Sequence, residues 1–184
     1  MPSAAYARGR VTGAAIVTFF GAVWCFLALA FWPARPGWII AAASGVAILL
    51  IVFCVQRFMA WRKIPGVDDP VAVAKGKRAG MWFGIIFGAE GLLIWLCATL
   101  LEHLGLGIWI PVVIAVIVGL HFLPLARVFE VPLYYWTGTL CILGAIASSA
   151  IPDAVARSLS VGFVMAAVLW LTAFWVLMRT YPVR

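Results

Sequence analysis

Two ionisable side chains, Glu90 and His121, lie inside stretches of the sequence that are otherwise apolar. Glu90 is near the middle of the stretch 79–101, where an ionised carboxylate costs at least about 2.5 kcal/mol to place in a bilayer. His121 is near the end of the stretch 108–126, and imidazole is the side chain whose charge changes most readily near neutral pH. Such a pair could carry a proton, or it could simply hydrogen-bond two helices together. The residue types alone leave both interpretations open.

More polar side chains follow His121 at the junction of two apolar stretches. Opposite charges three residues apart, as at Arg127 and Glu130, can pair on a helix. Pro124 lacks a backbone donor, so we expect a kink and a free carbonyl beside the imidazole. These residues predict a polar pocket open to the cytoplasm, with Glu90 at its floor. The candidate site residues are Glu90, His121, Arg127, Glu130, Tyr134 and Tyr135.

The expected depths of the two central residues differ. At 1.5 Å per residue, Glu90 lies about 17 Å from the inner end of its apolar stretch and His121 about 8 Å from the inner end of its own. Direct contact would require the helices to tilt or shift. A water molecule between the two side chains is therefore the simpler expectation.

The composition identifies the solvent around these residues as lipid. Hydrophobic residues make up 66% of the 184 residues and charged residues 10%, against roughly 45–50% and about 25% in soluble domains. A transmembrane helix needs about 20 mostly apolar residues. We therefore predict an all-α integral membrane protein, a single domain (1–184) built as a bundle of six transmembrane helices. The predicted spans are 12–32, 37–56, 79–101, 108–126, 133–151 and 158–178.

The basic residues predict the orientation of the spans. Of 13 Lys and Arg residues, 11 fall on one side and only Arg35 and Arg157 on the other, and basic loops stay in the cytoplasm. We expect a multi-pass protein of the cell (inner or plasma) membrane with both termini cytoplasmic. The net charge of +7 then indicates contact of a basic loop, 57–78, with anionic lipid headgroups, and no nucleic acid is expected as a partner. Within that loop, Asp69 before Pro70 predicts the cap and first residue of a helix.

Four glycines follow one another along the third predicted span. At 100° per residue they occupy a sector of about 80°, smooth enough for another backbone to approach closely. We predict a packing face that serves either within the chain or in a homo-oligomer. Glu90 lies on a different face, together with Phe83 and Phe87, so the third span is expected to touch protein around most of its circumference. The glycines are Gly80, Gly84, Gly88 and Gly91.

Cofactor and metal chemistry have little support in the sequence. Cysteines 25, 54, 97 and 141 lie in four different spans without a Cys-x-x-Cys pair, as is typical of structural thiols. No Gly-x-Ser-x-Gly or His-Glu-x-x-His motif is present. We expect no cofactor and no metal, and enzymatic activity has the weakest support. A proton-linked or small-solute transporter and a non-enzymatic accessory, scaffold or oligomeric subunit remain as alternatives.

The segment around His121 carries one resemblance. The run His-Phe-Leu-Pro-Leu-Ala-Arg-x-Phe over 121–129, with Pro-x-Tyr-Tyr-x-Thr-Gly over 132–138, resembles a motif of uncharacterised families of small multi-pass bacterial membrane proteins. It covers about a tenth of the chain. The resemblance implies no known activity, but it draws attention to the fourth and fifth spans.

Overall fold

The computed structural model describes residues 4–34, 37–62 and 70–179. These residues form six α-helices and one short 3-10 turn, Gly107–Trp109, and contain no strand. The helices are α1 (Ala4–Phe31), α2 (Gly37–Arg62), α3 (Pro70–His103), α4 (Ile110–Val128), α5 (Leu133–Ser149) and α6 (Ala154–Met178).

Five helical segments are long and apolar enough to cross a bilayer, and they belong to α1, α2, α3, α4 and α6 within the described ranges. Helix α5 has 17 residues, or about 26 Å, which is at the short limit for a span. The prediction of a helical multi-pass membrane protein is therefore supported. The sixth span and the sidedness stay predictions.

The segment predicted as the basic loop, 57–78, is helical at both ends, and only the helix over 57–62 was not expected. Helix α2 continues to Arg62 and α3 begins at Pro70. The helix start at Pro70 confirms that part of the prediction, because proline is well suited to the first position of a helix. Residues 63–69, which include the expected cap Asp69, lie outside the described residues.

Helices α1 and α6 form the tightest pair and carry most of the core. At Gly162 a β-carbon would meet Ala28 at 2.5 Å, and at Gly21 it would meet the Trp170 ring at 2.6 Å. The Trp170 indole donates a hydrogen bond to the Thr18 carbonyl at 3.1 Å. Small residues let membrane helices approach closely enough to gain dispersion energy where lipid supplies no hydrophobic driving force.

Helix α5 is held between α4 and α6. Gly119 and Gly138 face one another, and a β-carbon on Gly138 would lie 2.5 Å from the Gly119 carbonyl oxygen. On the other side, the Thr137 and Thr172 hydroxyls lie 2.8 Å apart. These contacts place α4, α5 and α6 together behind the side chains that α4 presents to α3.

Helix α3 lies at the edge of the bundle, and its contacts within the chain differ from those predicted. None of the residues in its most apolar window is buried, so the chain itself does not surround it; packing against a second copy stays a prediction. All four predicted packing glycines are exposed, with no atom within 4 Å of a β-carbon placed there, and they do not pack within the chain: Gly80, Gly84, Gly88 and Gly91. The partly buried stripe of α3 instead follows the positions of Phe83, Ile86, Glu90, Ile94 and Cys97, which are spaced by three or four residues along one face.

Arg157, which lies just before the sixth predicted span, is buried with 3% exposure at the start of α6. Its Nη1 donates to the Ile151 carbonyl at 3.0 Å, and its guanidinium lies 4.1 Å from the Trp109 ring centre. Asp153 caps the same helix by accepting from the Ala156 amide at 2.7 Å. Arg157 thus ties the α5–α6 turn to the 3-10 turn before α4.

Arg157→Lys should lower the free energy of unfolding by about 1 to 2 kcal/mol, because lysine loses the planar stacking on Trp109. Unfolding in mixed detergent micelles measures this change. Arg127→Lys is the matched control, since Arg127 is exposed, and it should be neutral. Equal stability of both variants would contradict a stabilising role for the Arg157–Trp109 contact.

Candidate functional site

Glu90 of α3 and His121 of α4 are in direct contact. Glu90 Oε2 lies 2.5 Å from His121 Nδ1, and the two side chains are only 8% and 12% exposed. The atoms meet at ion-pair distance, but the ring nitrogen is not aligned on the oxygen as a hydrogen-bond donor. The expectation of a bridging water is therefore wrong.

The contact arises from the short turn that joins α3 to α4. Glu90 lies 13 residues before the end of α3 at His103, and His121 lies 11 residues after the start of α4 at Ile110. These separations are about 20 and 16 Å along the helices, so the residues are nearly level. The depths predicted from the inner ends of the two apolar stretches differed because those ends are not level. Helix α3 continues inward beyond its apolar stretch to Pro70.

A groove of about 1060 Å³ runs along α1 and contains both side chains in its lining. Its walls are α1, α3 and α4, and α6 contributes Ser158, Gly162 and Leu169 to its floor. Helix α3 packs mainly on α4 and makes few contacts with α1. Most lining residues are apolar, so Glu90 and His121 form a polar island partway along an apolar groove.

Four phenyl rings line the groove in sequence, and we term them the aromatic row: Phe20, Phe87, Phe83 and Phe129. Ring centres are 6.0 Å apart between Phe20 and Phe87, 5.7 Å between Phe87 and Phe83, and 6.0 Å between Phe83 and Phe129. The row connects α1, α3 and the end of α4. Phe87, the second ring of the row, is about one helical turn from Glu90, so the row passes beside the carboxylate.

One end of the groove carries further charges. Lys75 Nζ of α3 lies 2.7 Å from Glu130 Oε1, with both side chains more than half exposed. The spacing in the sequence had suggested Arg127 as the partner of Glu130, but the partner in the structure is Lys75. Arg10 also lines this end, and the Tyr134 hydroxyl lies close to Gly13.

The groove brings together four of the six predicted site residues: Glu90, His121, Glu130 and Tyr134. Arg127 and Tyr135 are exposed and do not line it. Lys75, Phe20 and Phe129 were not predicted as parts of the site. The helical spacing had placed Phe83 and Phe87 on the side of α3 that carries Glu90, and both line the groove.

The arrangement suits proton binding. Among the described residues, no third His, Cys, Asp or Glu joins Glu90 and His121 to make a group that could hold a metal ion. With one proton between them the carboxyl and imidazole carry no net charge, whether the proton sits on nitrogen or oxygen. Without that proton the pair carries one negative charge.

Comparisons of the chain with protein-family profiles, with curated proteins and with solved structures found no match.

Proposed function

We propose that this protein is a proton-linked carrier that moves a small solute along the groove between α1, α3 and α4. The observation that carries the proposal is the Glu90–His121 pair in the wall of that groove. Intramembrane ionisable residues commonly mark solute or proton pathways. In the proposed carrier, Glu90 binds and releases the proton. His121, which is in contact with Glu90, shares that proton.

The free-energy cost of a net charge on the Glu90–His121 pair couples proton release to the binding of a solute. A net charge at this depth costs at least about 2.5 kcal/mol. Loss of the shared proton is therefore unfavourable unless another group compensates the negative charge. A solute that does so makes proton release easier, which is the reciprocal coupling that linkage requires.

The proposal includes the orientation of the chain. We place the groove end that holds Lys75 and Glu130 at the cytoplasmic face and α5 across the bilayer as the sixth span. The support is the distribution of 11 of 13 basic residues on that side. The solute would then exchange with the cytoplasm at the charged end of the groove.

Solute-driven proton movement tests the proposal. Proteoliposomes with entrapped pyranine would receive one solute class at a time from outside: organic cations, carboxylates, amino acids and sugars. We expect one class to change the internal pH with the wild-type protein. Glu90→Gln should reduce that signal at least tenfold, because an amide cannot exchange the proton.

Glu102→Gln is the matched control, because Glu102 is an exposed glutamate on the same helix, and it should retain the wild-type signal. Gel filtration must show that both variants remain folded. If no solute class moves protons, the carrier proposal is wrong. Loss of stability in Glu90→Gln without any flux in the wild type would favour a structural or accessory role instead.

A further inference from the structure

We propose that the solute is a lipophilic monocation, recognised by the Glu90 carboxylate and the aromatic row. This inference rests on the proposed function, since it names the substrate class of the same groove. Two features of the lining support it: a carboxylate in an apolar wall, and phenyl rings placed in succession beside it.

The aromatic row places phenyl rings along the wall of the groove that a cation would enter. Aromatic faces attract cations within about 6 Å of the ring centre, and more strongly in a desolvated site. Phe87 lies between Phe20 and Phe83, belongs to the groove lining and is 42% exposed, so part of this side chain is open to contact. A cation with apolar substituents would gain both apolar contact and electrostatic attraction here.

The charge of the site matches a single positive charge. A monocation that replaces the proton shared by Glu90 and His121 restores zero net charge, and the proton leaves to water. One cation enters for each proton released, so the exchange is electroneutral. A neutral solute would leave the negative charge uncompensated, and an anion would add to it.

The other ionisable groups that line the groove lie at its charged end: Arg10, Lys75, Glu130 and Tyr134. Lys75 is paired with Glu130. Phe20 meets Phe87 across the groove, so Arg10 is about 20 Å from Glu90 along the helices. Because the Coulomb energy falls with distance, Arg10 acts on Glu90 much more weakly than a group in contact with the carboxylate does, which leaves Glu90 as the dominant charge at its own level.

Tetraphenylphosphonium and tetraphenylborate test the substrate class, because they have nearly the same shape and opposite charge. Saturable binding to the detergent-purified full chain would be measured by equilibrium dialysis and by calorimetry in buffers of different ionisation enthalpy. We expect the cation to bind with release of one proton and the borate not to saturate. The apparent Kd should fall about tenfold for each unit of pH increase while the pair holds its proton.

Variants locate the binding site. Glu90→Gln should weaken tetraphenylphosphonium binding at least tenfold. Phe87→Leu keeps an apolar side chain and should weaken binding about tenfold through the lost ring face. Phe26→Leu is its matched control, because Phe26 is equally exposed at 42% and lies outside the groove lining.

Several results would overturn the inference: equal binding of the borate, binding without proton release, or unchanged binding in Glu90→Gln and Phe87→Leu. If Glu90→Gln does not fold, the inference is still tested by proton release from the wild type and by the comparison of Phe87→Leu with Phe26→Leu. Proton-linked flux of another solute class, without tetraphenylphosphonium binding, would remove this inference and retain the carrier. Binding with proton release but no flux would retain the ligand class and remove the carrier.

Discussion

His121→Ala should be the most damaging substitution at the site, with a loss of about 3 to 5 kcal/mol of unfolding free energy. The reason is that Glu90, only 8% exposed and in contact with His121, would lose its charge partner while staying in place. The carboxylate must then take a proton or remain as an unpaired charge in lipid. Unfolding in mixed micelles at neutral pH would measure the loss.

A double-mutant cycle separates the pair from the individual side chains. Glu90→Gln combined with His121→Ala should be more stable than His121→Ala alone, because the orphaned charge is gone. His103→Ala is the matched control, since His103 is exposed on α3, and it should change the stability little. Additive effects of the two substitutions would show that Glu90 and His121 are not coupled.

Gly138→Ala should separate α4 from α5 and reduce the free energy of unfolding by about 1 to 3 kcal/mol, as overpacking of a filled core does. The added carbon would lie 2.5 Å from the Gly119 carbonyl oxygen, an atom that cannot rotate away. The helices would have to move apart, and the neighbouring Thr137–Thr172 contact of 2.8 Å would weaken with them.

Gly84→Ala is the comparison for this substitution. Gly84 has no atom within 4 Å of a β-carbon, and alanine is the better helix former by about 1 kcal/mol. The variant should therefore equal or slightly exceed the wild-type stability in monodisperse monomer. A loss similar to that of Gly138→Ala would show that the exposed glycines of α3 pack against another chain.

Much of the architecture follows from local properties of the chain. Long apolar stretches form helices in lipid because a helix satisfies the backbone polar groups within the segment itself. Pro70 marks a helix start that the structure contains. Glu90 and His121 were recognisable as candidates because ionisable residues are rare in such stretches. None of these inferences depends on which helices are neighbours.

Local sequence patterns could not predict which helices and side chains contact one another. The glycines of α3 and those at 119 and 138 look alike in sequence, yet only the latter pair brings two backbones together. Arg157 looked like a loop cation and is buried on Trp109. A hydropathy pattern records affinity for lipid, and lipid-facing and protein-facing sides of a membrane helix are both apolar, so it carries little information about the partner.

The residue types therefore established the solvent, the helices and the two side chains where chemistry can occur. Only the tertiary structure placed Glu90 against His121 and opened a groove lined with phenyl rings beside them. The physical reason is that an ionisable residue inside an apolar stretch can be recognised from its own position in the sequence. A contact between two such residues depends on the register of two helices. Here that register follows from the short turn between α3 and α4.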